Sequence, residues 1–192
     1  QYGQPGKKLL FMGAELAQET EWDHDGSLPW WLLDRPAHRG MQAWVRHLNH
    51  LHRSEPGLHQ RDFSADGFQW VDASDTGASV LSWLRHPARD GDGRPVDAGA
   101  RPVLVVCNFT PVPRTGYRVG LPFPGRWVEV LNSDAADYGG AGWGNMGEAR
   151  TQRIASNGHE QSVEVTLPPL AVVFLKGKAR RPRAAARTKG RT

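Results

Sequence analysis

From Phe63 onward, short apolar runs alternate with polar positions at a period of two and are cut by turn signals, a pattern that leaves few folds open. Phe68 to Val71, Ser79 to Leu84, Pro102 to Phe109, Gly116 to Gly120, Arg126 to Leu131, Ser162 to Leu167 and Leu170 to Leu175 each read as a strand, because successive strand side chains point to opposite faces. Asp66-Gly67, Asp75-Thr76-Gly77, Asp90-Gly91-Asp92-Gly93, Pro124-Gly125 and Asn157-Gly158 supply the turns between them. Seven such strands predict an antiparallel β-sandwich of about 100 residues. Trp70, Trp83 and Trp127 fall at inward-looking positions and are expected in its core.

Ahead of that region the pattern changes. Gly6 to Gly13 encloses the apolar run Leu9-Leu10-Phe11-Met12, which suits a strand buried on both faces, as in a parallel sheet. Ala14 to Asp34 follows with Asp25-Gly26, Pro29 and three tryptophans, too broken for one regular element and too aromatic for an ordinary loop. Met41, Trp44, Val45, Leu48 and Leu51 recur at spacings of three and four, which predicts an amphipathic helix over 39–54, closed by Pro56-Gly57. One strand and one helix cannot bury a strand on both faces, so partners upstream of Gln1 are expected. The chain divides into 1–56, a β-domain over 57–175 and a tail over 176–192.

The net charge of +4 is concentrated in that tail. Eight Lys or Arg and no acid lie between Lys176 and Thr192, so residues 1–175 carry sixteen basic and twenty acidic groups and are mildly acidic. The tail is rich in Arg, Ala and Pro and cannot bury enough apolar surface to order itself, which predicts disorder. The body shows no interleaved basic and aromatic stripe, which argues against a specific nucleic-acid partner. Cys107, the only cysteine, lies in the apolar run Val103 to Cys107 and reads as a small buried hydrophobe, consistent with a reducing compartment. With neither a signal peptide nor an apolar stretch of 18 residues, a soluble cytoplasmic protein without a membrane partner is expected.

Several segments together resemble bacterial 1,4-α-glucan (glycogen) branching enzymes of the α-amylase superfamily: Gly6 to Gly13, Glu21-Trp22 through Leu28-Pro29-Trp30, Cys107 to Arg114, Gly125 to Asp134 and Leu167 to Ala171. The resemblance runs over about residues 5–175. It implies that Leu9 to Met12 is the eighth strand of a catalytic (β/α)8 barrel, that 39–54 is its last helix, and that an all-β domain follows. Active sites of such barrels lie on loops at the C-terminal ends of the strands, and here that loop is Ala14 to Asp34. The implied reaction is a retaining transfer in which a carboxylate attacks the anomeric carbon of an α-1,4 linkage and the 6-hydroxyl of another chain resolves the glycosyl-enzyme. The family's catalytic carboxylates come from earlier strands, so no catalytic residue is expected here and the chain alone should be inactive. No cofactor or metal is implied. Another α-amylase relative, such as a trehalose-releasing hydrolase or a maltosyltransferase, and a glucan-binding or structural β-domain are the alternatives.

Glu15, Trp22, Asp23 and Trp30 are the candidate substrate-binding residues, since an indole face stacks on a glucose ring and carboxylates accept hydrogen bonds from its hydroxyls. The competing expectation is that Trp30 and Trp31 plug the junction between barrel and β-domain. Glu15, Glu19, Glu21, Asp23 and Asp25 form an acidic cluster, but spacing alone cannot place two carboxylates across a glycosidic bond. Gly142 to Gly147 matches G-x-G-x-x-G without the strand-then-helix context of a dinucleotide site, and reads as a loop between strands. His47, His50 and His52 lack a completing ligand set and read as exposed helix residues.

Overall fold

A computed structural model describes residues 1–178. It contains one α-helix, α1 (Pro36–Ser54), and eight strands: β1 (Phe68–Asp75), β2 (Val80–Arg85), β3 (Val103–Asn108), β4 (Arg114–Leu121), β5 (Arg126–Asn132), β6 (Glu148–Arg150), β7 (Gln161–Leu167) and β8 (Ala171–Lys178). The mostly-β, antiparallel class expected from the alternation is the one observed, with two sheets of unequal size. Six strands form one sheet in the order β1-β2-β3-β8-β5-β6, and β4 pairs with β7 as a separate ribbon.

The central strand β3 explains why the middle of the sheet is apolar on both faces. Leu104 and Val106 pack with Val119 and Leu121 of β4, Val163 and Val165 of β7 and Trp127 of β5, in the core between sheet and ribbon. Val103 and Val105 point the other way, into a second cluster with Tyr2, Leu48 and Leu51 of α1, Leu58 and Phe174. The result is three layers, with α1 and the N-terminal segment on one face of the sheet and the ribbon on the other. Trp127 is fully buried and stacks on Phe123 at 5.0 Å between centroids. Such side chains contribute roughly 1.5–3 kcal/mol each through burial.

The helix sits close to the loop after β5. Gly40 lies where a Cβ would come within 2.6 Å of the Tyr138 carbonyl oxygen, so only glycine permits the approach. Tyr138 then packs edge-on against Trp44, and its Oη hydrogen-bonds His47 Nδ1 at 2.6 Å. The fully buried Arg85 ties the layers together: its guanidinium pairs with Asp62 at 2.5 Å and donates to the carbonyls of Gly3, Leu58 and Gly67.

Several expectations require correction. Residues 7–12 form no strand; Leu9 is 81% exposed and Phe11 and Met12 are exposed with it. A strand needs a neighbouring strand to take up its N–H and C=O groups, and no strand among the described residues pairs with this run. Trp70 is 47% exposed rather than core, because β1 is an edge strand whose register shifts between Trp70 and Asp72. The helix starts at Pro36, where a missing N–H costs nothing. Strand β6, three residues long, was not expected. Strand β8 starts after Leu170, whose φ of 47° breaks the extended run, and continues through Lys178, where disorder was expected. Lys176 reaches Glu55 from that strand (2.9 Å to Oε1). The rest of the basic run lies outside the described residues.

Candidate functional site

The stretch 14–34, whose 3-10 turns Ala14–Leu16 and Trp30–Asp34 pack against α1, carries every candidate substrate-binding side chain. Glu15 belongs to the 3-10 turn Ala14–Leu16, which Leu16 anchors by full burial and which His38 Nδ1 holds through the Leu16 carbonyl at 2.7 Å. From there Glu15 forms one wall of an open groove of about 450 Å³, with Gln42, Arg46, Asn49, His50 and Arg53 of α1 on the other. Trp22 is 40% exposed; its ring meets Phe11 edge-on at 5.6 Å and tilts toward His24. Asp23 turns back to accept the Asp25 backbone N–H at 2.9 Å and is solvent-exposed.

Trp30 opens the 3-10 helix Trp30–Asp34 and is 52% exposed, with Trp31 similarly open beneath the Arg35 guanidinium at 5.0 Å. Trp22 and Asp23 are chain neighbours on one turn, whereas Glu15 faces the helix groove. No hydrogen bond, ion pair or ring contact among the described residues joins Glu15, Trp22, Asp23 and Trp30 to one another.

The acidic cluster is taken up piecemeal. Glu19 pairs with Arg35 at 2.9 Å and lies 3.6 Å from His38 Nε2, and Asp25 pairs with His24 at 3.3 Å. Asp23, His24 and Asp25 could bring ligand atoms within 4.8 Å of one another, but all three are exposed on one turn, and nothing in their surroundings would exclude water from a cation. The arrangement is chemically one of presentation: exposed indole faces and carboxylates suited to stacking and hydrogen bonding.

Other titratable groups are structural. Burial pushes the Cys107 thiol up to about 11, which makes it a poor nucleophile. His47 and His50 are exposed, as expected, but His52 is partly buried, with Nε2 unpartnered among the described residues, and burial lowers its pKa below the usual imidazole value. The G-x-G-x-x-G segment lies between β5 and β6 with no helix after it, as its context implied. Trp143, inside that segment, is 43% exposed and was not singled out from the sequence; its placement between two glycines was the available signal.

The chain is similar over most of its length to curated 1,4-alpha-glucan branching enzymes GlgB. It is 52% identical over 174 residues to that of Aromatoleum aromaticum, a match covering 91% of this chain and 26% of the relative. It is 53% identical over 175 residues to that of Roseobacter denitrificans (91% and 23%) and 50% identical over 175 residues to that of Aquifex aeolicus (91% and 26%). The chain thus spans about a quarter of the length of these relatives. Among the described residues no helix is long and apolar enough to cross a membrane. The family model of the α-amylase C-terminal all-β domain matches residues 70–178, from β1 to the last residue of β8 and more than half of the chain. The chain belongs to that family.

Proposed function

We propose that this chain is the C-terminal part of a cytoplasmic glycogen branching enzyme, whose whole-protein activity is cleavage of an α-1,4-glucan and transfer of the segment to a 6-hydroxyl. In this reading residues 1–56 belong to the end of the catalytic barrel and the β-domain after them supports it. Glu15, Trp22, Asp23 and Trp30 contact the α-glucan substrate at the mouth of the cleft. The carrying observation is identity of about one half over 91% of the chain to branching enzymes. The match extends over about 174 residues, well beyond the 70–178 segment common to the all-β domain. Exposure of Leu9, Phe11, Met12 and Trp30 supports it, since apolar side chains of this size are more often covered in a finished protein.

The test is a chimera in which this chain replaces the matching segment of the Aromatoleum enzyme. The reading expects branching of amylose, seen as a blue-shifted iodine complex and shorter debranched chains, and none from this chain alone. A folded chimera without activity, or robust activity from the chain alone, contradicts it.

A second reading, that the β-domain binds α-glucan by itself, is favoured by Trp70. Its exposed ring on β1 is held edge-on by Phe68 at 5.1 Å and Trp83 at 5.7 Å. Loss of retardation in glycogen-containing gels on Trp70→Ala would support this binding role; unretarded migration of the wild-type chain would exclude it.

A further inference from the structure

The glycine-rich segment after β5 is held by hydrogen bonds converging on one residue, Trp143. Asp134 Oδ1 accepts the Ala141 N–H at 3.1 Å, and Oδ2 accepts the Trp143 N–H at 2.9 Å. On the other side of the same residue, Asn132 Nδ2 donates to the Trp143 carbonyl at 2.7 Å. Glu129 Oε2 accepts both the backbone N–H (3.1 Å) and the side-chain amide (2.7 Å) of Asn145, whose Oδ1 in turn accepts the Thr166 N–H of β7 at 2.8 Å. Both backbone polar groups of Trp143 are therefore fixed to side chains that leave strand β5 or its end, while the indole stays 43% exposed.

The flanking residues keep the ring open. Gly142 adopts a φ of 81°, and a Cβ on Gly144 would come within 2.8 Å of Asn132 Nδ2 and 3.0 Å of Glu129 Oε1. Neither neighbour carries a side chain to cover the indole, and no other ring in the described residues packs on it. An aromatic surface presented by an already ordered backbone loses little further entropy when a ligand lands on it. The ligand class follows from charge and shape. Asp134 and Glu129, with Asp137 nearby in the chain, make the loop acidic and repel phosphate, which disfavours a nucleotide or nucleic acid. Glycine backbone around a single indole is too small an apolar area for a protein partner. A neutral pyranose ring needs only the flat face.

We propose that Trp143 is a stacking platform for an α-glucan ring, a contact point in addition to Glu15–Trp30 and Trp70. The ligand class rests on the branching-enzyme reading; the presence of the platform is tested separately. Wild-type chain, Trp143→Ala, Trp143→Phe and Trp70→Ala are run in native gels of graded glycogen content, with thermal melting of each. Maltoheptaose is titrated into 15N-labelled wild-type chain, and the indole N–H resonance missing from Trp143→Phe is followed. The apparent dissociation constant should rise about three- to tenfold in Trp143→Ala and less in Trp143→Phe, as expected for loss of one aromatic contact. The Trp143 resonance should shift on titration. Wild-type-like retardation of Trp143→Ala, an unretarded wild-type chain, or a Trp143 resonance that ignores maltoheptaose would overturn the platform. An inactive chimera would overturn the branching reading and leave the gel and resonance results to decide the platform on their own.

Discussion

Val103 to Val106 and Leu9 to Met12 are both four-residue apolar runs, but the first is buried on both faces and the second is open to solvent. The difference lies in neighbours rather than composition. Val103 to Val106 has β2 and β8 along its edges, α1 on one face and the β4–β7 ribbon on the other. Leu9 to Met12 has none of these among the described residues. The exposure also begins abruptly, because Tyr2 and Gly3 just ahead of it are fixed to the sheet: Trp83 Nε1 donates to the Gly3 carbonyl at 2.8 Å, and Arg85 reaches the same oxygen. An apolar run is therefore a demand for neighbours, which β3 meets within the described residues. Under the branching-enzyme reading, Leu9 to Met12 has its demand met by the rest of the catalytic barrel.

The largest expected effect comes from cutting the tie between the N-terminal segment and the sheet. Arg85→Ala leaves the partly buried Asp62 without its cation and the carbonyls of Gly3, Leu58 and Gly67 without their shared donor, and should cost roughly 3–5 kcal/mol in urea unfolding. Adding Asp62→Ala should recover part of that loss. Within the two runs, Leu104→Ala should cost about 2–5 kcal/mol through the cavity it leaves, whereas Leu10→Ala should change stability by no more than about 0.5 kcal/mol. Equal costs at the two positions would erase the contrast. Gly40→Ala, which helix propensity alone would favour, should instead destabilise by about 1–3 kcal/mol because the new methyl meets the Tyr138 backbone.

A smaller effect concerns pH. His52 lies beside Tyr2 and His59 with Lys8, Asp62 and Arg85 around it, and burial first, then the Lys8 charge, lowers its pKa. The unfolded chain takes up that proton at higher pH than the folded one. Stability should therefore fall as pH drops below the ordinary imidazole value of 6.5, until the folded form titrates as well. His86, also lowered chiefly by burial, adds to the same slope. Melting temperatures between pH 7.5 and 5 should show a shallower decline in His52→Gln than in the wild-type chain, and identical slopes would count against the assignment.

The β-domain was legible because its strands alternate and its turns carry Asp-Gly and Asn-Gly pairs. What failed to read did so for local reasons. Strand β6 has three residues, too few for any period to register, and exists through its pairing of Trp127 with Ala149 and its neighbours. Trp70 alternates inward on paper, but nothing in a sequence marks β1 as the sheet edge. Lys176 looks like the start of a solvated tail, yet its stem can lie along the sheet while its ammonium meets Glu55. At the candidate site the aromatic loop was visible as composition. The pairing of Glu19 with Arg35, and the facing of Glu15 toward α1, depend on backbone turns with φ values such as 90° at Gly13 and 51° at Ala17.

Amide hydrogen exchange read by mass spectrometry tests most directly whether the two apolar runs differ by missing neighbours. In the isolated chain Val103 to Val106 should be protected close to the global unfolding free energy, and Leu9 to Met12 should exchange at nearly unprotected rates. In the chimera with the remainder of the Aromatoleum enzyme, Leu9 to Met12 should become protected as well. Strong protection of Leu9 to Met12 in the isolated chain, or no gain of protection in an active chimera, would contradict the account.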